Sequence, residues 1–385
     1  MLAYWLLAAA QALALLVLMA RLAPGRRRRP PVPPVADADA PRTTLTITVA
    51  TLNEARRIGP CLEGLMQQGP IVREILVVDS RSTDGTRELV EAAARRDPRI
   101  RLLTDDPLPP DWVGKVWALQ HGLAHATGEW VLGIDADITP DPGLASGVVA
   151  AALEQRFDVV SFSPRFTIPT AAEQWLQPAL LVTLVYRCGA AGEGTPDPER
   201  VLANGQCFLA RRDVLNAHGG YSAAQRSFAD DVTLARHMAR AGVRVGFLDG
   251  SSIYRVRSYS SMSEAWREWG RSLDLKDATT PARQWADVVF LFLAQALPLV
   301  MVVLLLALGR DTFGAAWKPL LIINGVLLGI RLMLLAALTQ SYDQAGLPFW
   351  LSPLADVPAA IRIFLSTIRK RRTWRGRAYA PTVAT

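Results

Sequence analysis

Two aspartates, Asp135 and Asp137, close the apolar run Trp130-Val131-Leu132-Gly133-Ile134. Folding alone gains little from two carboxylates there, whereas carboxylates at a strand's carboxyl end project into the crevice where open α/β sheets hold ligands. Oxygen ligands so placed suit Mg²⁺ or Mn²⁺, and such ions neutralise diphosphates. An exposed turn is the alternative, because Asp137 runs into Thr139-Pro140-Asp141-Pro142. Asp79 ends a second apolar run, Ile75-Leu76-Val77-Val78, ahead of the polar turn Ser80-Arg81-Ser82-Thr83-Asp84-Gly85. With Glu54 after the first run, it could hydrogen-bond the ring and ribose of a nucleotide. Helix capping accounts for Asp84 and Thr83, but not for Asp79, which stands before the turn. Lys115 follows Gly114 at the start of a predicted helix, where a cation could reach phosphate or remain a solvated surface lysine. Asn204-Gly205-Gln206 reads as a turn into a strand. Gly205 would permit close backbone approach, and Asn204 or Gln206 could bond sugar hydroxyls or simply form a hairpin turn.

The elements that must position these groups alternate regularly. Strands are expected at 45–52, 74–79, 101–104 and 129–135, and helices at 54–68, 83–96 and 116–126. Nearly continuous apolar strands alternating with helical segments predict an α/β fold with a mostly parallel sheet flanked by helices. Each candidate acid then falls at a strand end. The three cysteines, Cys61, Cys188 and Cys207, lack metal-ligand spacing and read as reduced and structural. His121 and His125 stand four apart on one predicted helix, with no third metal ligand apparent nearby.

The 385 residues carry a net charge of +7, concentrated in two blocks, 26–29 and 369–377, each beside an apolar stretch. Without aromatic interleaving, this pattern speaks for anionic lipid headgroups and against nucleic acid. Residues 2–20 contain no charge and are long enough to cross a bilayer, and the positive charge follows them. An uncleaved anchor with the chain continuing on the cytoplasmic side of the cell (inner) membrane is therefore expected. Residues 290–308 and 320–338 suggest a hairpin of two further spans, although Asn324 and Arg331 interrupt the second. The stretch 349–368 carries Pro353, Asp356, Pro358 and Arg362, which suits an interfacial or re-entrant helix. The expected organisation is an anchor at 1–22, a basic, Pro-rich linker at 23–43, and a nucleotide-binding domain at 44–258. An amphipathic interfacial segment at 259–285, two transmembrane helices at 286–340, an interfacial or re-entrant helix at 341–368 and a basic tail at 369–385 complete it.

Thr51-Leu52-Asn53-Glu54, the segment from Val77 to Thr86, and Ala126-Thr127-Gly128-Glu129 leading to Asp135-Ala136-Asp137 together resemble the family-2 inverting glycosyltransferases. The resemblance covers residues 44–250 and implies a GT-A nucleotide-binding fold. It implies that Glu54 and Asp79 bind the nucleotide of a sugar donor, with a UDP-sugar the first expectation. It also implies that Asp137 coordinates Mg²⁺ or Mn²⁺ and that Asp135 contacts the ribose or assists the metal. Thr51 departs from the proline frequent in the family. Asp230-Asp231 resembles the family's Glu-Asp motif, with Asp231 as the base that takes the acceptor hydroxyl's proton and Asp230 in support. Taken by themselves, the two acids could merely favour a helix amino terminus. The family's aromatic-basic Gln-x-x-Arg-Trp motif is replaced here by Glu268-Trp269-Gly270-Arg271-Ser272, which leaves a diphosphate role for Arg271 and an acceptor role for Trp269 as expectations.

The segment with Pro107-Leu108-Pro109-Pro110 and Gly114-Lys115, and the segment 266–276, are similar to bacterial carotenoid glycosyltransferases, the former also to hopanoid-associated ones. This resemblance implies a hydroxylated carotenoid or another isoprenoid alcohol as lipid acceptor, ahead of ceramide, diacylglycerol or a hopanoid-pathway lipid. A non-catalytic membrane scaffold of the same fold would be expected to have lost acids, yet Asp79, Asp135, Asp137 and Asp231 are all present.

Overall fold

The computed structural model describes residues 1–194, 197–257 and 262–368, together with the backbone of two short strands, Thr373–Trp374 and Arg377–Ala378. The side chains of Arg271 and Ser272 and the basic block 369–372 lie outside the described residues. The chain divides into a helical unit and a sheet unit. α1 (Leu2–Leu22) opens the helical unit, and the sheet unit begins at Arg28.

Four strands and three helices alternate as the apolar pattern predicts: β1 (Leu45–Thr51), α2 (Ile58–Met66), β2 (Val72–Asp79), α3 (Thr86–Arg96), β3 (Ile100–Thr104), α4 (Gly114–His125) and β4 (Trp130–Asp135). They are followed by β5 (Ile138–Pro140), α5 (Leu144–Glu154), β6 (Val159–Ser163) and β7 (Arg165–Phe166). The chain then leaves the sheet unit, contributes α6 (Ala171–Cys188) to the helical unit, and returns at Ala191. It continues through β8 (Cys207–Arg211), α7 (Arg212–Ala217), α8 (Asp230–Arg240), β9 (Val245–Asp249) and β10 (Tyr254–Val256).

The main sheet has the order β3-β2-β1-β4-β8-β6-β9, with β8 antiparallel to both its neighbours and the remaining pairs parallel. Ile47, Val49, Ile75, Val77, Leu132 and Ile134 face a layer built from α2, α3 and α5. Leu76, Val131, Phe208 and Ala210 face α4 and α8. Burial on both faces is why these strands read as continuous apolar runs.

Two expectations need correction. The domain expected at 44–258 starts sixteen residues earlier and is interrupted by α6. The Pro-rich stretch is no free linker, because Val32 is 4 % exposed within the sheet unit's core. The Val32 amide donates to the Asp249 carbonyl at 2.7 Å and the Val35 amide to that of Gly143 at 3.2 Å. Gly147 and Gly143 leave room for this strap, since a Cβ on either would meet the backbone of Pro33 or Val35. The basic block takes part in the same docking. Arg28 pairs with the buried Asp249, and the Arg29 guanidinium lies over the Phe157 ring, so these two charges serve the fold rather than a lipid headgroup.

In the helical unit, α9 (Met262–Ser272) precedes α10 (Pro281–Leu291), α11 (Leu297–Phe313) and α12 (Trp317–Leu338). α13 (Leu347–Trp350) and α14 (Asp356–Ile368) follow. Two stretches, Leu2–Arg27 and Pro281–Ser341, are long and apolar enough to cross a membrane. α11 and α12 fold back on each other, with the Trp317 indole donating to the Leu305 carbonyl at 2.8 Å. Their outer faces carry exposed Val303, Leu306, Ile322 and Met333, while polar side chains turn inward. An apolar exterior around paired polar groups is the arrangement that lipid favours. Asn324, which interrupts the apolar run, exchanges amide hydrogen bonds with Gln11 of α1 at 2.7 and 2.8 Å. Arg331 bonds Asp356 at 2.9 Å and Ser352 at 3.0 Å. At 13 residues, α14 is about 20 Å long, well short of a bilayer's hydrocarbon thickness.

The Arg331–Asp356 pair is almost fully buried. Removing one partner strands the other charge, whereas replacing both by apolar residues removes the desolvation penalty as well. Arg331→Leu should therefore destabilise the protein by about 3–5 kcal/mol, and Arg331→Leu with Asp356→Leu should recover most of that loss. Thermal unfolding in detergent checks both. A double variant as unstable as the single one would contradict the assignment.

α9 is amphipathic, but its apolar side meets protein. Trp269 is 5 % exposed, the Arg362 guanidinium lies over the Trp266 ring, and Ser366 donates to the Gly270 carbonyl at 2.9 Å. Contact with α14 thus replaces the membrane-surface contact expected for this face.

Candidate functional site

β1 lies at the centre of the parallel strands, with β2 on one side and β4 on the other. The winding reverses between β1 and β4, and such a reversal opens a crevice at the strands' carboxyl ends. The register sets Thr51 against Asp79 and Ala50 against Asp135, so the acids align along one sheet edge. Asp135 is the last residue of β4, and Asp137 sits in the two-residue turn before β5. Both residues are part-buried, and the Asp137 Oδ1 atom is itself sealed from solvent. Beneath them, the buried Cys61 places its thiol 3.8 Å from the Asp135 carbonyl. Burial, followed by the nearby charges of Asp137 and Asp135, pushes this thiol well above its usual range. It stays protonated in this buried setting.

Asp79 departs from expectation. Its side chain is fully buried, accepting from the Thr51 hydroxyl at 3.1 Å, the Ser82 amide at 3.0 Å and Arg87 at 3.2 Å. The Thr51–Asp79 register turns it into the β1–β2 joint instead of the open crevice. Arg87, one third exposed, is the charged group presented beside it, and sequence reasoning missed it because it reads as an ordinary exposed helix residue.

The loops after β1 and β2 are laced together. Asn53, at φ 57°, receives the Thr83 amide and donates its own to Ser82, and the Glu54 amide donates to Thr86. Asp84 accepts from the Ala55 amide at 3.0 Å. Asp84 and Thr83 were expected to cap α3. Gly85, at φ 96°, occupies the N-cap position, yet Asp84 Oδ1 still accepts from the Thr86 amide at 3.1 Å, so Asp84 serves both the start of α3 and the interloop lattice, and Thr83 the lattice alone. Glu54, 8 % exposed, is held at this junction.

On the other flank, Lys115 in the first turn of α4 reaches Asp135 at 2.7 Å. Asp231, in the first turn of α8, accepts from the Gly205 amide at 2.7 Å and from the Val232 amide at 2.8 Å. Gly205 is the point of convergence: a Cβ there would stand 3.2 Å from Lys115 Nζ and 3.4 Å from Asp231 Oδ2. The Gln206 carbonyl accepts from the Asp135 amide at 3.4 Å, which ties this turn to the end of β4. Asp230 and Asp231 both line a small cavity floored by Gly133, Phe208 and Tyr221. Burial, then the neighbouring Asp230 charge, pushes the Asp231 carboxyl up to about 6. Burial opposes a charge on Lys115, yet Asp135, Asp230 and Asp231 together raise its pKa, so it remains a cation. Tyr221 was also missed. Its only sequence signal is Gly219-Gly220, whose positive φ angles of 80° and 65° form the turn that delivers it.

Thus the fold brings Asp135, Asp137, Lys115, Asp230 and Asp231 together at one end of the sheet, with Glu54 in the neighbouring loop. Asn204 and Gln206 lie beside them, but each occupies the other: Asn204 Nδ2 donates to Gln206 Oε1 at 3.1 Å, and the Gln206 amide to Asn204 Oδ1 at 3.0 Å. The hairpin-turn reading accounts for both. Trp269, expected to contact an acceptor, is buried within the helical unit. The Arg271 side chain lies outside the described residues.

Residues 46–219 match the glycosyl transferase family 2 profile. The chain carries a glycosyl transferase family 2 domain. It is 34 % identical over 122 residues to a dolichyl-phosphate beta-glucosyltransferase of Trichomonas vaginalis, a match covering 30 % of this chain and 34 % of the relative. It is 25 % identical over 254 residues to 4,4'-diaponeurosporenoate glycosyltransferase of Staphylococcus aureus, covering 64 % of this chain and 66 % of that protein. The chain therefore spans about a third of the first relative's length and just under two thirds of the second's. Its fold is similar to a mannosyltransferase from Pyrobaculum calidifontis solved with GDP-Man and Mn²⁺, with a TM-score of 0.56, 21 % identity, and 95 % and 97 % of the two chains covered. The architecture is of the GT-A type.

Proposed function

We propose that this protein is an inverting glycosyltransferase that moves a sugar from a nucleotide-sugar donor to the hydroxyl of a membrane lipid, a hydroxylated carotenoid or another isoprenoid alcohol. The observation that carries the reading is the meeting, around Gly205, of an acid from the parallel-strand edge with the acids at the start of α8. A transferase needs those two halves adjacent, one for the donor diphosphate and one for the acceptor proton.

Asp137 and Asp135 would hold the divalent ion. Among the described residues no group of three His, Cys, Asp or Glu forms a ready metal cage. That fits Mg²⁺ or Mn²⁺, which are commonly held by one or two carboxylates together with substrate phosphates. The ion would supply positive charge to the leaving diphosphate. Lys115 would add a second cation from the other side, and Glu54 would bind the nucleotide. Asp231, fixed by the Gly205 and Val232 amides, would accept the acceptor hydroxyl's proton as the new C–O bond forms and the bond to the diphosphate breaks. The neighbouring Asp230 carboxylate raises the basicity of Asp231.

The lipid acceptor is supported by the two apolar helical stretches and by relatives named for dolichyl phosphate and 4,4'-diaponeurosporenoate, both isoprenoid compounds. In this reading α1 and the α11–α12 hairpin cross the cell membrane, and the sheet unit lies on its cytoplasmic side. Mass spectrometry of lipids from cells with and without the gene tests acceptor and sugar together. A hexosylated isoprenoid lost with the gene is the expected result. Loss confined to a hexosylated ceramide or diacylglycerol would overturn the acceptor class.

A further inference from the structure

We propose that Lys115 is an exchangeable counter-cation: it holds Asp135 while the crevice is empty and gives that carboxylate up when a divalent ion and a diphosphate enter together. The inference deepens the functional reading above and rests on its assignment of Asp135 and Asp137 to the metal.

A lysine in the first turn of a helix is opposed by the helix dipole, which favours anions there. Lys115 is also only 19 % exposed. Both terms work against an ammonium at this position, and the carboxylates around it compensate. Asp135 is in contact at 2.7 Å, and Asp230 and Asp231 lie near enough to favour its charge. With Asp137 beside them, four acids share one end of the sheet, and the metal assigned to that end is missing a third protein ligand among the described residues. In the empty crevice, Lys115 supplies the positive charge that a divalent ion supplies in the loaded one. The two cations compete for Asp135. A diphosphate removes the competition, because it offers the ammonium new oxygens within the same crevice. The lysine thus makes metal binding depend on the nucleotide. The carboxylates of Asp135 and Asp137 would otherwise attract a divalent ion without a donor.

Linkage makes this measurable, since nucleotide must raise Mn²⁺ affinity by the same factor that Mn²⁺ raises nucleotide affinity. The full-length protein in detergent is titrated with Mn²⁺ alone, then with Mn²⁺ plus UDP or GDP, and free Mn²⁺ is read from its electron paramagnetic resonance signal. Lys115→Met, which removes the cation competing for Asp135, should bind Mn²⁺ alone about tenfold more tightly than wild type and show a smaller gain on adding nucleotide. Lys115→Arg, which keeps the charge, should stay near wild type. Lys115→Gln is run alongside as a second neutral variant, and either folded neutral variant decides. Mn²⁺ affinity unchanged or weakened in the neutral variants, without nucleotide, would overturn the exchange. Asp137→Ala separates that outcome from failure of the metal assignment: if it leaves Mn²⁺ binding unaltered with and without nucleotide, the ion binds elsewhere and both readings fall.

Discussion

Asp231→Asn should reduce kcat by about 10²–10⁴-fold while leaving metal-dependent nucleotide binding close to wild type. The amide preserves the side chain's shape and can still accept from the Gly205 amide, which holds the carboxylate at 2.7 Å. What it loses is the ability to take a proton. The wild-type pH profile should carry the same signature. Asp231 must be ionised to act, and burial followed by the Asp230 charge places its carboxyl at about 6. Turnover should therefore rise with pH through about 6 and level off above it. Stability should move the opposite way. The folded protein binds this proton more tightly than the unfolded chain, whose aspartates titrate near about 4. The stabilising contribution of the site is thus complete below about 4 and is lost as pH rises through about 6. Asp231→Asn should accordingly raise Tm at pH 8 relative to wild type. A variant that retains wild-type turnover would remove Asp231 from the base role.

The second large effect is expected at the other end of the crevice. Asp137→Ala should weaken Mn²⁺-dependent nucleotide binding by at least the roughly 10–100-fold that losing an outer partner of a metal costs. Metal-free nucleotide binding should change little, because Glu54 and the laced loops after β1 and β2 remain intact. Isothermal titration with UDP and GDP, with and without Mn²⁺, separates the two. Asp135→Ala should behave differently, since it also releases Lys115 from its 2.7 Å contact. Equal binding by Asp137→Ala and wild type in the presence of Mn²⁺ would contradict the assignment.

Much of the sheet unit was legible because its strands are buried on both faces and its helices on one. These patterns fix β1 to β4 and α2 to α4, and they place an acid at each strand's carboxyl end. The contacts that escaped the sequence are those between residues far apart along it. Asp79 was read as facing a ligand because its partners, Thr51 and Arg87, become visible only once the β1–β2 register is known. The segment 30–41 looked like a spacer by composition, yet Gly143 and Gly147 clear a path for it more than a hundred residues later. Asn324 and Arg331 looked like flaws in an apolar helix. Gln11 and Asp356 satisfy them, and nothing local announces either partner. α6 has the same cause. Its polar Glu173, Gln174 and Gln177 give no local sign of a buried helix, yet all three are buried within the helical unit.

The convergence around Gly205 is more instructive. Lys115, Asp135, Asp137 and Asp231 were each ambiguous as single residues, between turn, cap, surface charge and chemistry. The structure places Lys115, Asp135 and Asp231 within contact distance of one another or of one glycine, with Asp137 two residues from Asp135. A solvated surface lysine or a helix-favouring pair of acids would have no reason to meet there.

The most direct test is transfer itself. Purified wild-type protein is given Mn²⁺, a panel of radiolabelled UDP- and GDP-sugars and a total lipid extract, with Asp231→Asn beside it, and label is counted in the organic phase. Metal-dependent labelling by wild type, lost in Asp231→Asn and carrying the anomeric configuration opposite to the donor's, is the expected result. No label in the organic phase with any donor, or a product that retains the donor's configuration, would contradict it.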